Sequence, residues 1–179
     1  MKNIFLIRHC KAEGQEPAAR LTSEGAEQSH QLADQLRSKG IDLVVTSPYQ
    51  RAIESIMPLC NVLGLVYAVD NRLEERVLSS KNLDNWMELL KETYADLDIV
   101  YEGGESSKEA MQRGMEVINE VINGPYHNIA VVTHGALMSL ILKHFDDSMG
   151  YEEWLNLSNP DIYLIRVENR KYEIERIWE

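Results

Sequence analysis

At 179 residues, 44% of them apolar and 26% charged, the chain has the size and composition of one globular domain with its own core. No run approaches the roughly 20 apolar residues of a membrane span, and a net charge of −11 argues against nucleic acid or anionic lipid as a partner. Cys10 and Cys60 make no disulfide framework and the apolar run Ile4–Ile7 is too short for a signal-peptide core, so a cytoplasmic setting is expected. The acidic charge also repels phosphorylated molecules, so a phosphate site in this chain needs clustered arginines.

Ile4-Phe5-Leu6-Ile7 reads as a short buried strand that ends in Arg8 and His9. After a polar loop, Thr22 or Ser23 caps a helix with the apolar stripe Ala26, Leu32, Ala33 and Leu36, closing at Gly40. Leu43–Thr46 is a second buried strand. Ser47-Pro48 predicts an N-cap and a first-turn proline for a helix reaching Leu63. Val66–Val69 is a third strand, leading to Arg72-Leu73-Glu74-Glu75-Arg76. Residues 82–93 read as a helix with Trp86, Leu89 and Leu90 on one side. Gly103-Gly104-Glu105-Ser106 then turns into a helix through Ile122, its stripe being Ala110, Gly114, Val117, Ile118 and Val121. Ser106 and Glu109 have capping-box spacing. The run Ile129–Thr133 ends in His134-Gly135 and feeds a helix from Ala136 to Phe145. Ile162–Val167 and Tyr172–Trp178 form a closing hairpin around Glu168-Asn169-Arg170-Lys171. Strands alternating with helices predict an α/β fold in three layers, α/β/α, with a mostly parallel sheet and one antiparallel strand at an edge.

Ligands of open α/β sheets bind beyond the carboxyl ends of the strands. Those ends deliver Arg8 and His9, Ser47 and then Arg51, Glu74 and Glu75, and His134 with Gly135. Two arginines, two histidines and a carboxylic acid suit phosphoryl transfer. Guanidinium forks match phosphate oxygens, a neutral imidazole can attack phosphorus, and an acid can protonate the leaving alkoxide. Taken singly, each has a simpler role: His9 as a satisfied buried histidine, Arg51 as a solvated helix residue, Ser106 as a helix cap. Glu74 and Glu75 could form a surface patch with Arg72 and Arg76. A zinc site from His9, His134 and a glutamate lacks a third histidine or cysteine pair at ligand spacing. His30, His127 and His144 fall on helices or turns with no partner pattern. The joint pattern is what favours chemistry.

Six motifs in order resemble the histidine phosphatase superfamily, in its phosphoglycerate-mutase-like branch. They are Leu6-Ile7-Arg8-His9, Leu21-Thr22-Ser23-Glu24-Gly25, Ser47 to Ala52, Arg72-Leu73-Glu74-Glu75, Gly103 to Ser106, and Val132-Thr133-His134-Gly135. The resemblance implies His9 as nucleophile and phosphohistidine carrier, with Arg8, Arg51, His134 and Ser106 around the phosphate. It implies Glu75, two after Leu73, as general acid, with Glu74 its rival, and neither metal nor organic cofactor. Cys10 stands where the family has glycine, and Ala12 where it has threonine. Cysteine fits there unless the backbone needs φ > 0; an exposed thiol would be open to oxidation, a buried one is a small hydrophobe. Lys11 either adds charge at the rim or is solvated.

Mutases of this branch carry long insertions over the sugar phosphate, whereas here ten residues separate Cys10 from Leu21 and 28 positions separate Glu75 from Gly103. The expectation is a single domain, 1–179, with a small helical cap at about 76–102 in which Trp86 faces the site. The expected activity is hydrolysis of a small phosphorylated substrate by a monomer or homodimer. The alternatives are a phosphoglycerate-type mutase and a non-catalytic phosphate-binding module; Glu75 and the Gly103–Ser106 element argue against the simpler branch that dephosphorylates protein histidines.

Overall fold

The computed structural model describes all residues, 1–179. Six strands form one sheet: β1 (Lys2–Arg8), β2 (Leu43–Thr46), β3 (Tyr67–Val69), β4 (Asn128–Thr133), β5 (Asp161–Glu168) and β6 (Lys171–Arg176), in the order β3-β2-β4-β1-β5-β6. The first four run parallel, while β5 is antiparallel to β1 and β6 to β5. The edge strand β6 is thus antiparallel to its neighbour, as expected, and a second antiparallel pairing lies one strand further in, at β5. It lies against central β1, and β6 covers it.

Side chains alternate across a strand, and here the alternation divides the core in two. Ile4, Leu6, Ile129, Val131 and Ile165 pack on one face with α4 (Ser107–Asn123) and α5 (Gly135–Phe145). Phe5, Ile7, Val44, Ala130 and Val132 pack on the other with α1 (Ser23–Leu36) and α2 (Gln50–Leu63). Both faces are covered, as the apolar strands require, and the result is the three-layer α/β/α fold. Two shorter helices, α3 (Trp86–Ala95) and α6 (Tyr151–Leu155), meet through Trp86 and Trp154, whose ring centroids are 6.3 Å apart. Helix α6, five residues long, is too short to show a helical period in the sequence. No helix is long and apolar enough to cross a membrane.

Local chemistry explains most boundaries. Ser106 and Glu109 form the expected capping box, and the whole predicted stripe of α4 is buried. Thr22 caps α1 by accepting the Gly25 N–H, but Ala26 is exposed and Gly25 is buried in its place. A Cβ at Gly25 would stand 2.0 Å from the Lys11 carbonyl oxygen, so only glycine allows this approach. Helix α2 begins at Gln50, two residues later than Ser47-Pro48 predicts, because Ser47 is engaged elsewhere. At the hairpin, Asn169 and Arg170 both take positive φ, the geometry a two-residue turn between twisted strands demands.

Candidate active site

The order of the parallel strands sets the site. Arg8 of β1 pairs with Thr133 of β4, and Thr46 of β2 pairs with Val132, so His9, His134 and Ser47 leave three neighbouring strands at one edge. The His9 N–H donates to the Thr133 carbonyl at 3.1 Å and the Ser47 N–H to that of Val132 at 2.9 Å. The two imidazoles meet edge to face with centroids 5.1 Å apart.

His9 has a fixed tautomer. Its Nδ1 lies 2.7 Å from the Cys10 carbonyl, which can only accept, so the proton is on Nδ1 and Nε2 carries the lone pair. Arg51 Nε donates to that lone pair at 3.2 Å. Burial, the largest cause, pushes the His9 pKa down to about 3; Arg51 and Arg8 add to it and the Cys10 carbonyl opposes it. Arg51, 1% exposed, is held by the carbonyls of Gln15 and Glu16 at 3.1 and 3.0 Å and lies over the Tyr49 ring. His134 is fully buried. Its Nε2 pairs with Ser47 Oγ at 2.8 Å, the same oxygen that accepts the Tyr49 N–H, and its Nδ1 has no protein partner. Burial first, then His9 and the surrounding arginines, pushes its pKa well below the usual imidazole value.

Arg8 reaches across the start of α5. Its Nη1 donates to the carbonyls of Leu157 and Ser158 at 3.2 and 3.3 Å, while Nε, buried, has no protein partner. A Cβ on Gly135 would stand 2.9 Å from that Nε, so glycine at the first position of α5 is what admits the guanidinium. Glu75 sits on the same helix end: Oε2 accepts the Ala136 N–H at 3.1 Å and Oε1 those of Leu137 and Arg76 at 3.0 and 2.8 Å. A carboxylate at a helix N-terminus meets orphan donors and the positive end of the dipole.

A cleft of about 480 Å³ opens here, lined by the polar Arg8, Gln15, Glu75 and Arg76 and by the apolar Leu78, Trp86, Leu90 and Trp154. Glu75 is its one carboxylate. His9, Arg51 and His134 lie just behind: His9 follows Arg8, Arg51 holds the Gln15 carbonyl, and His134 precedes the glycine under Arg8. A larger groove beside α1 and α2, about 700 Å³, is lined by surface side chains and no buried charge. Six of the ten arginines form ion pairs with carboxylates, and Arg170 is exposed in the hairpin turn. The three that remain, Arg8, Arg51 and Arg76, all face this region. In a chain of net charge −11 these three arginines, set against the single carboxylate of Glu75, make a concentrated net positive field.

Arg8, His9, Arg51, Glu75 and His134 thus come together as the sequence predicts. Ser106 does not join them: its hydroxyl accepts the Glu109 N–H at 3.0 Å as the cap of α4 and bonds to none of the five. Glu74 is off the cleft wall. Lys11 is paired with Glu24 on the surface rather than at the rim. Cys10 is fully buried, donates its N–H to Ser55 Oγ, and has no positive φ, so cysteine fits where glycine is usual. Burial pushes its thiol up to about 11, which makes it a hydrophobe rather than an oxidation site. No three His, Cys, Asp or Glu side chains cluster in a metal-holding geometry. The sequence reading missed Gln15, Trp154 and Asn159, whose Nδ2 donates to the His9 carbonyl at 2.9 Å; none belongs to a periodic pattern.

The family described as the histidine phosphatase superfamily (branch 1) matches residues 4–179. A Hydrogenobacter thermophilus protein named phosphoserine phosphatase 2 is 25% identical over 189 residues, covering 96% of this chain and 92% of that one. An Erwinia tasmaniensis protein named phosphoglycerate mutase GpmB is 25% identical over 161 residues, covering 79% and 74%. Among solved structures, mycobacterial glucosyl-3-phosphoglycerate phosphatase in complex with VO3 superposes with a TM-score of 0.79 at 20% identity over 98% of each chain. An α-ribazole-5'-P phosphatase from Escherichia coli superposes with a TM-score of 0.78 at 21% identity, over 98% of this chain and 95% of that one. Those structures share the fold.

Proposed function

This chain belongs to branch 1 of the histidine phosphatase superfamily, and from that footing we propose that it is a metal-independent phosphomonoesterase with His9 as its nucleophile. The observation that carries the reading is the uncompensated pair Arg8 and Arg51 around a neutral imidazole whose Nε2 lone pair is exposed by its tautomer. A phosphomonoester dianion supplies the negative charge these arginines lack. Its oxygens are better acceptors than an imidazole nitrogen, so they draw the Arg51 N–H away and free Nε2 for attack.

In the first step the His9 Nε2–phosphorus bond forms and the ester P–O bond breaks, the leaving oxygen taking a proton from Glu75. In the second, water attacks the phosphohistidine, gives its proton to Glu75, and releases phosphate and neutral His9. Arg8 and Arg51 neutralise charge on the equatorial oxygens. With the Ser47 hydroxyl donating to Nε2, His134 presents Nδ1–H to one of them. The residues at about 76–102, with α3 at their centre, serve as the cap of a single domain. That cap is one ten-residue helix, and Trp86 on the cleft wall is 45% exposed, which supports water as acceptor over a sequestered sugar and hence hydrolysis over mutase chemistry. The substrate is a small phosphorylated molecule, and two buried free thiols suit a reducing cytoplasm.

The test is hydrolysis of p-nitrophenyl phosphate with a chelator present, wild type beside His9→Ala, with acid-labile phosphoprotein trapped by rapid quench. Turnover and a trapped phosphohistidine, both lost in the variant, are expected. A variant that keeps more than about a tenth of the rate, a loss of under ~1.4 kcal/mol of transition-state stabilisation, rules out His9 as nucleophile.

A further inference from the structure

Glu75 stands in a loop, just past the short turn Asn71–Leu73 and before α3 and α4. The carbonyls of Glu74 and Glu75 accept no backbone N–H. Yet from residue 72 to residue 75, four successive carbonyls are each taken by a side chain from another element. Thr133 Oγ1, at the end of β4, donates to the Leu73 carbonyl at 2.8 Å. Arg113, in the second turn of α4, takes the other three. Its Nη1 donates to the carbonyls of Arg72 and Glu74, both at 2.7 Å, and its Nη2 to that of Glu75 at 3.2 Å.

Glu105 orients that guanidinium. Its carboxylate accepts Arg113 Nε and Nη2 at 2.9 and 2.8 Å, and its Oε2 also accepts the Val77 N–H at 3.0 Å. The pair therefore grips the loop on both sides of Glu75 in sequence, through Arg113 up to residue 75 and through Glu105 at residue 77. Neither side chain lines the cleft, so neither is placed to touch a substrate there.

Anchoring of the loop as a whole is provided for without Arg113. Leu73 is fully buried, Arg72 pairs with Asp70 and Glu120, and the Glu105 N–H donates to the Val77 carbonyl. What Arg113 adds is restraint at residues 74 and 75 themselves. The Ala136 and Leu137 N–H groups hold the Glu75 carboxylate, but they fix its place only if the backbone that carries it is also fixed. Displacing a reacting group by about 1 Å costs on the order of 10²-fold in rate. A lysine could still pair with Glu105, but one ammonium cannot span three carbonyls and a carboxylate as a rigid fork does.

We infer that Arg113 is a positioning residue for proton donation, holding the Glu75 backbone so that its carboxyl group meets the leaving oxygen. This rests on the reading of Glu75 as general acid. The proton still passes from Glu75 to the leaving oxygen, and Arg113 neither gains nor loses one.

The experiment measures kcat/KM for phenyl phosphate and p-nitrophenyl phosphate, which have nearly the same shape but differ in how much the leaving oxygen needs a proton. Glu75→Gln sets the scale, with an expected loss about tenfold larger on phenyl phosphate. Arg113→Met should show the same preference, about fivefold, and Arg113→Lys a smaller one. Placed on top of Glu75→Gln, Arg113→Met should cost no more than about twofold further, because nothing is left for it to position. A purely structural role gives equal losses on the two esters, which add in full to those of Glu75→Gln. Either result, with Glu75→Gln itself selective, overturns the proposal and leaves Glu75 as the acid. Should Arg113→Met fail to fold, Arg113→Lys decides by the same two criteria. Equal losses in Glu75→Gln alone would remove Glu75 as acid, and the role of Arg113 with it.

Discussion

His9 shows how much chemistry one residue's surroundings can set. The Cys10 carbonyl accepts the Nδ1–H hydrogen bond, and Arg51 donates to the opposite nitrogen. Burial then keeps the ring neutral, with a pKa of about 3. Such an imidazole stays deprotonated through mildly acidic conditions, but the folded protein gains that at a cost in acid stability. Below pH 6.5 the unfolded chain binds a proton at this imidazole that the native state refuses until about pH 3. Stability is therefore undiminished above pH 6.5 and falls as pH drops through that window, by about 2 kcal/mol at pH 5 from His9 alone. Burial of His134 acts in the same direction. Urea unfolding at pH 7 and pH 5 checks this. Wild type should lose about 2 kcal/mol more between the two than His9→Asn; equal losses would mean His9 is not held neutral.

At the level of elements, the start of α5 does three things at once. His134 is its cap residue, Glu75 sits on its first free N–H groups, and Gly135 makes room for Arg8. Alanine at Gly135 is good for a helix, yet its Cβ would stand 2.9 Å from Arg8 Nε. Gly135→Ala should therefore leave Tm unchanged or slightly higher while kcat/KM for p-nitrophenyl phosphate drops at least tenfold. Full activity in that variant would show that Arg8 does not need its observed position. Helix α4 is the contrasting case, since its capping box and buried stripe are local and periodic and were readable at once. The start of α2 falls later than its sequence predicts because Ser47-Pro48 has the chemistry of a helix start, while the Ser47 hydroxyl is drawn away to His134 across the sheet.

For the molecule as a whole, the C-terminal hairpin is more than an edge cover. Asp161 at the start of β5 is fully buried and held by Arg176 of β6 through contacts of 3.0 and 2.6 Å. It also accepts the Ser158 N–H at 2.9 Å. That fixes the loop whose Leu157 and Ser158 carbonyls hold Arg8 and whose Asn159 holds the His9 carbonyl. Arg176 is partly exposed, so its loss costs less than a fully buried pair, about 1–3 kcal/mol. Arg176→Ala should lower Tm and also reduce kcat/KM severalfold well below the melting range, although it touches no part of the cleft. A destabilised variant of normal activity would show that the loop keeps its place without the hairpin.

Patterns within single segments were legible in the sequence: the apolar strands, the stripe of α4, the hairpin turn, and the polar residues waiting at strand ends. They follow from side-chain periodicity and short-range hydrogen bonding, which act over a few residues. So Arg8, His9, Arg51, Glu75 and His134 can be gathered from the sequence alone. Contacts between distant segments were not legible. Ser47 turning to His134, Asn159 reaching His9, β5 lying inside β6, and Arg76 left without an acid each depend on which segments become neighbours. The choice of Glu75 over Glu74 on the cleft wall is of the same kind: adjacent residues share a sequence environment, and only the packing of α5 against their loop separates them. Local free energies written in the sequence set the elements, while the tautomers, the burial and the unpaired charges came from the tertiary fold, because burial and charge compensation are properties of what surrounds a group.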